Sequence, residues 1–142
     1  MPLTKNGLLR EARRGLAAYL EPGEQVELIA QFYNKPVAMA SGAVGGTAAI
    51  LENRTLMSWF AALTDRRLIF LTASIYRNKA GGLAWADPRA SASAQLITKV
   101  PGRGKYGAIE YRRPSSELVR LWYSVAFRRE VPQLVSALTA TI

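Results

Sequence analysis

The sequence predicts a mainly β domain of the α+β kind, with a helix at each end. Three observations carry this. Residues 118 to 128 alternate apolar and polar positions, the period of a strand. Residues 62 to 72, ALTDRRLIFLT, set a short polar corner between two apolar runs, the pattern of a hairpin. Residues 8 to 20 and 130 to 140 instead repeat apolar residues every three or four positions, the period of an amphipathic helix.

The elements follow in order. In LLREARRGLAAYL (8 to 20), Leu8, Ala12, Leu16 and Leu20 share a stripe, and Arg10, Arg13 and Arg14 lie on another face. Pro22 and Gly23 stop that helix. QVELIAQFY then turns Val26, Leu28, Ala30 and Phe32 to one side of a strand. PVAMASGAVGGTAAIL (36 to 51) carries no charge and is too short and weakly apolar for a membrane span. It reads as a long inter-strand loop, a buried small-residue helix, or a loop that enters the lipid interface. Val37, Met39, Val44, Ile50 and Leu51 are its candidate apolar contacts.

TLMSWFAAL and RRLIFLTAS form the two arms of the hairpin. Thr64 and Asp65 are turn formers, because their side-chain oxygens accept from nearby backbone amides. Arg66 and Arg67 should open the return strand and point to opposite faces, which excludes one shared clamp. Asp65 can pair with either. Residues 75 to 93 read as turn-rich and exposed, from Gly81-Gly82 and Pro88. Strands follow at 94 to 100 and 106 to 113, joined by the PGRGK turn, and RPSSE makes a further turn. In the last strand Val119, Leu121, Tyr123, Val125 and Phe127 face one way. Arg120, Trp122, Ser124 and Arg128 face the other; Trp122 reads as an exposed interaction anchor or, the preferred reading, as packed under the N-terminal helix. Pro132 suits the first turn of the closing helix, whose stripe is Val131, Leu134, Val135 and Leu138.

A chain of 142 residues is one domain by default. The division expected is an N-terminal helical extension (1 to 20) and a domain (21 to 142) with a Gly/Ala-rich insertion at about 36 to 52.

The composition narrows the chemistry. There is no histidine and no cysteine, so Ser-His-Asp and Cys-His catalysis are impossible. The usual zinc, copper and haem sites go with them. Asp65, Asp87, Glu110 and Glu117 make no recognisable catalytic pair. GRGK is followed by Tyr106 rather than Ser or Thr and is not a P-loop. No catalytic residue, metal or cofactor is expected.

The formal net charge of +9 favours an anionic partner. The densest basic stretch holds Lys99, Arg103, Lys105, Arg112 and Arg113 around Glu110, and these five are the candidate anion or lipid contacts. A solvated, aggregation-resistant edge is the plainer reading of the same charges. Nucleic acid is the least favoured partner, since the charges are dispersed and no recognition motif is present. The N-terminus is too charged for a signal peptide, and no apolar run is long enough for a span. A cytoplasmic protein, peripheral to the inner face of the membrane, is the expectation.

GEQVELIAQF, then FAALTDRRLIFLT, then SELVRLWYSVAF before a C-terminal helix resembles a bacterial pleckstrin-homology-like (GRAM-like) domain. The resemblance spans roughly residues 21 to 140. It implies a partly open barrel of about six or seven antiparallel strands with the last helix closing one end. It also implies a non-enzymatic binding module for inositol phospholipids, other anions or proteins, with homo-oligomerisation open. The family's ligand loop between the first two strands is usually basic. Here that position holds the uncharged 36 to 51 segment, which puts a ligand there in doubt.

Overall fold

A computed structural model describes residues 4–36, 56–74, 80–98 and 106–141, with side chains to 138. Helix α1 is Lys5–Leu16. Thr4 caps it, its Oγ1 accepting from the Gly7 amide at 3.1 Å. The helix therefore starts three residues before the apolar pattern and stops short of Leu20. Its end tightens, with the Tyr19 and Leu20 amides both donating to Leu16 O. Leu20 still reaches the core, but from this turn.

Seven strands follow: β1 (Val26–Tyr33), β2 (Ser58–Thr64), β3 (Arg67–Ala73), β4 (Ala80–Pro88), β5 (Ser93–Thr98), β6 (Gly107–Arg112) and β7 (Leu118–Tyr123). Helix α2 is Glu130–Thr141. The strands form one antiparallel sheet in the order β4-β3-β2-β1-β7-β6-β5. The sheet curls so that β4 and β6 meet across its interior, where Tyr111 bonds Asp87 and packs against Phe70. The result is the mainly β, partly open barrel with two terminal helices that the sequence predicts.

Both faces of the central strands are covered, which explains why β2 is buried along its whole length and does not alternate. The register places Trp59, Ala61, Leu63, Leu68 and Phe70 on one face. Phe60, Ala62, Ile69 and Leu71 occupy the other. Helix α1 packs on β3 and β4, while α2 packs on β5 and β1. Leu8, Ala12 and Leu16 from α1 join Val131, Leu134 and Leu138 from α2 in one core. The first helix thus contributes side chains to the same core as the sheet and the closing helix.

Three expectations change. Residues 80–88 form β4, where a turn-rich segment was expected. Gly81, Gly82 and Pro88 read as breakers, but β4 is an edge strand and pairs only with β3, a position that tolerates them. The final strand stops at Tyr123, and Val125–Phe127 form a 3-10 turn. Phe127 remains buried, whereas Val125 is exposed. Finally, the principal strand contacts of α1 are with β4 and β3 rather than β7, and Trp122 is half-buried.

Gly15 shows how closely α1 is seated. A Cβ built on it would lie 2.5 Å from Ala80 Cβ on β4. Alanine is the better helix former by about 1 kcal/mol. Gly15→Ala should nevertheless destabilise the fold, by about 1–3 kcal/mol, because neither backbone-bound carbon can turn aside. Urea unfolding would measure this, and adding Ala80→Gly should recover most of the loss. A more stable single variant would contradict the packing argument.

Candidate functional site

The hairpin corner is a polar hub. Thr64 Oγ1 accepts from the Arg66 and Arg67 amides at 3.0 and 2.8 Å, the local role predicted for it. It donates to Glu24 Oε2 at 2.6 Å. Asp65 reaches further than a simple turn former, accepting from the Gln25 amide at 2.8 Å. It lies 3.8 Å from Arg66. Glu24 has a fully buried carboxylate. Arg67 donates to it through Nε at 3.0 Å and Nη2 at 2.6 Å, and Nη2 also reaches Tyr19 O at 2.8 Å.

The two arginines do converge, contrary to the strand argument. Arg66 donates to Pro22 O at 3.2 Å, and both guanidiniums lie 3.6 Å from Glu21. Strand β3 begins at Arg67, so Arg66 sits in the turn and strand alternation does not govern it. Together they clasp the 21 to 24 turn. Arg67 holds the Glu24 carboxyl at about 2, below its ordinary 4.5, against the opposing effect of burial. This is a structural clasp with its charges internally matched.

A second hub ties β4 to β6 across the interior of the sheet. Asp87 accepts from Tyr111 Oη at 2.6 Å and from Arg113 Nε and Nη2 at 3.1 Å each. Arg113 also lies over the Trp85 ring at 5.3 Å from its centre. Burial, then the bond to Asp87, pushes the Tyr111 phenol well up. Asp87 raises the Arg113 pKa. Arg113 is therefore engaged inside the protein. Arg112 is exposed beside Leu118, at the opposite end of β7 from the turn that leads into α2. Lys99, Arg103, Lys105 and the apolar set Val37, Met39, Val44, Ile50 and Leu51 lie outside the described residues.

The structure adds a site that sequence reasoning missed. A cavity of about 410 Å³ is lined by Lys5, Val125, Ala126, Arg128 and Arg129. It lies where the start of α1 meets the turn before α2. Lys5 Nζ pairs with Glu130 Oε2 and lies 5.4 Å from the centre of the Phe127 ring. Arg128 and Arg129 are exposed, and neither has a carboxylate partner among the described residues. Alternation places Arg128 on a strand face, but the strand ends at Tyr123 and Arg128 follows the 3-10 turn. The available signal was Arg128-Arg129-Glu130 directly before a Pro132 helix start, but the distance to Lys5 along the chain hid the third cation.

Among the described residues no group of three or more acidic side chains is placed to hold a metal ion. No described helix is long and apolar enough to cross a membrane. No protein-family model and no curated protein matches the chain.

Proposed function

We propose that the protein is a non-enzymatic, pleckstrin-homology-like binding module that attaches to an anionic membrane surface. The observation that supports this is the contrast between its arginines. Arg67 and Arg113 are matched internally by Glu24 and Asp87. Arg128 and Arg129 are left open beside Lys5, with exposed Val125 at the same place. Each cation held near an anionic bilayer contributes about 1 kcal/mol, and an apolar neighbour adds contact that salt does not screen.

Co-sedimentation with phosphatidylcholine vesicles, with and without an anionic lipid, tests the reading. Retention on the anionic vesicles at physiological salt is expected, with a clear loss for Arg128→Glu/Arg129→Glu. Retention only at low salt would reduce the effect to net charge and defeat the proposal.

A protein partner is the second reading. It is favoured by the outer edge of β4, where residues 80–86 carry no charge and Leu83 is exposed. A stable oligomer or co-purifying protein with no lipid dependence would support it.

A further inference from the structure

We infer that the cavity between the start of α1 and the turn before α2 is a discrete site for a phosphomonoester group. The inference deepens the membrane reading and rests on it for the source of that group, a lipid head group rather than free phosphate. The cavity volume of about 410 Å³ falls within the range of small-molecule sites, about 300–1,000 Å³. Its cations come from two chain segments, Lys5 on one side and Arg128 with Arg129 on the other. That arrangement suits a ligand with three terminal oxygens better than a planar carboxylate. Arginine adds paired, parallel N–H donors that match phosphate oxygens.

The backbone works in the same direction. Both helices have 12 residues, and their first residues, Lys5 and Glu130, meet in the ion pair beside the cavity. Each helix start carries a fractional positive charge, and α1 also has amides without intrahelical partners, whereas Pro132 removes one such donor from α2. Thr4 takes up only one of these amides in α1, that of Gly7. Val125 and Ala126 supply an apolar wall for the ester side of the ligand. Glu130 is the opposing charge. It holds Lys5, so an incoming phosphate competes with it for that ammonium.

The test separates site chemistry from bulk charge. Vesicles containing phosphatidic acid, an exposed phosphomonoester, are compared with phosphatidylglycerol vesicles, a phosphodiester, at matched surface charge. The wild-type chain should bind the former at least about tenfold more tightly, as expected for one or two added charge-assisted hydrogen bonds. Arg128→Lys/Arg129→Lys keeps the charge but loses the paired donors, so it should lose the preference while retaining phosphatidylglycerol binding. Glu130→Gln should strengthen phosphatidic acid binding more than Glu117→Gln, which makes the same charge change at the β6–β7 turn.

Equal affinity for both vesicle types would overturn the phosphomonoester site while leaving membrane attachment standing. Equal gains from Glu130→Gln and Glu117→Gln would also overturn it. Saturable binding of inorganic phosphate, lost in the double lysine variant, without binding to any vesicle would support the site and overturn the membrane reading.

Discussion

Arg67→Ala should cost about 3–5 kcal/mol of folding stability, because it strands the buried Glu24 carboxylate with only Thr64 and the Glu21 amide. Against a typical total of about 5–15 kcal/mol, this is enough to bring the domain near unfolding. The same clasp sets an acid limit. The Glu24 pKa is about 2 when folded and ordinarily 4.5, so the folded state binds its proton less readily than the unfolded chain. The contribution is fully present above the ordinary value and is lost as pH falls through 4.5 towards 2. A shift of that size corresponds to about 3 kcal/mol. Urea midpoints measured from pH 7 down to pH 2 should fall steeply for the wild-type chain below pH 5. The Arg67→Ala deficit should be largest at neutral pH and shrink in acid. A deficit independent of pH would refute the assignment of the acid limit to this pair.

Asp87→Ala is expected to be of similar size, about 3–5 kcal/mol, for the opposite reason: it removes the acceptor and leaves the donors. The buried Tyr111 hydroxyl and the Arg113 guanidinium would both lose the carboxylate that joins them. Tyr111→Phe alone should cost less, since Asp87 keeps Arg113. A double-mutant cycle isolates the pair, and a coupling of about 0.5–3 kcal/mol is expected for groups in direct contact. Strict additivity would mean that the short bond adds nothing beyond the packing of the ring.

How far the sequence foretold this structure depended on the range of each signal. α2 was legible because its periodicity is local and one face of it meets the core; β1 was legible as a strand, although Ile29 and Gln31 on its other face are buried as well. Thr64 was legible because its oxygen bonds amides two and three residues away. Glu24 was not, because its partners Thr64 and Arg67 lie 40 and 43 residues away. Asp87 falls in the segment that reads as turn-rich, and nothing nearby indicates Tyr111, 24 residues on. β4 was hidden by Gly81-Gly82, acceptable only because the fold places that strand at an edge. Of the basic candidates, Arg112 and Arg113 lie among the described residues. One is exposed and the other serves the barrel. Lys5, Arg128 and Arg129 meet only through the packing of the two helices.

The strand order carries a mechanical consequence. Among the described residues, β1 joins β2 through seven register pairs and β7 through one, Tyr33 with Trp122. Along the hydrogen-bonded ladder the sheet is therefore two halves, β1–β4 and β5–β7, meeting at a thin seam, with the Asp87 hub as a second tie between them. Helix α2 bridges that seam, since it packs on β5 from one half and β1 from the other. Slow breathing of the native protein should begin at the seam, with Tyr33 and Trp122 amides exchanging with solvent earlier than those within either half. The closing helix then acts as a clamp on this motion, and a ligand seated at its first turn would tighten it.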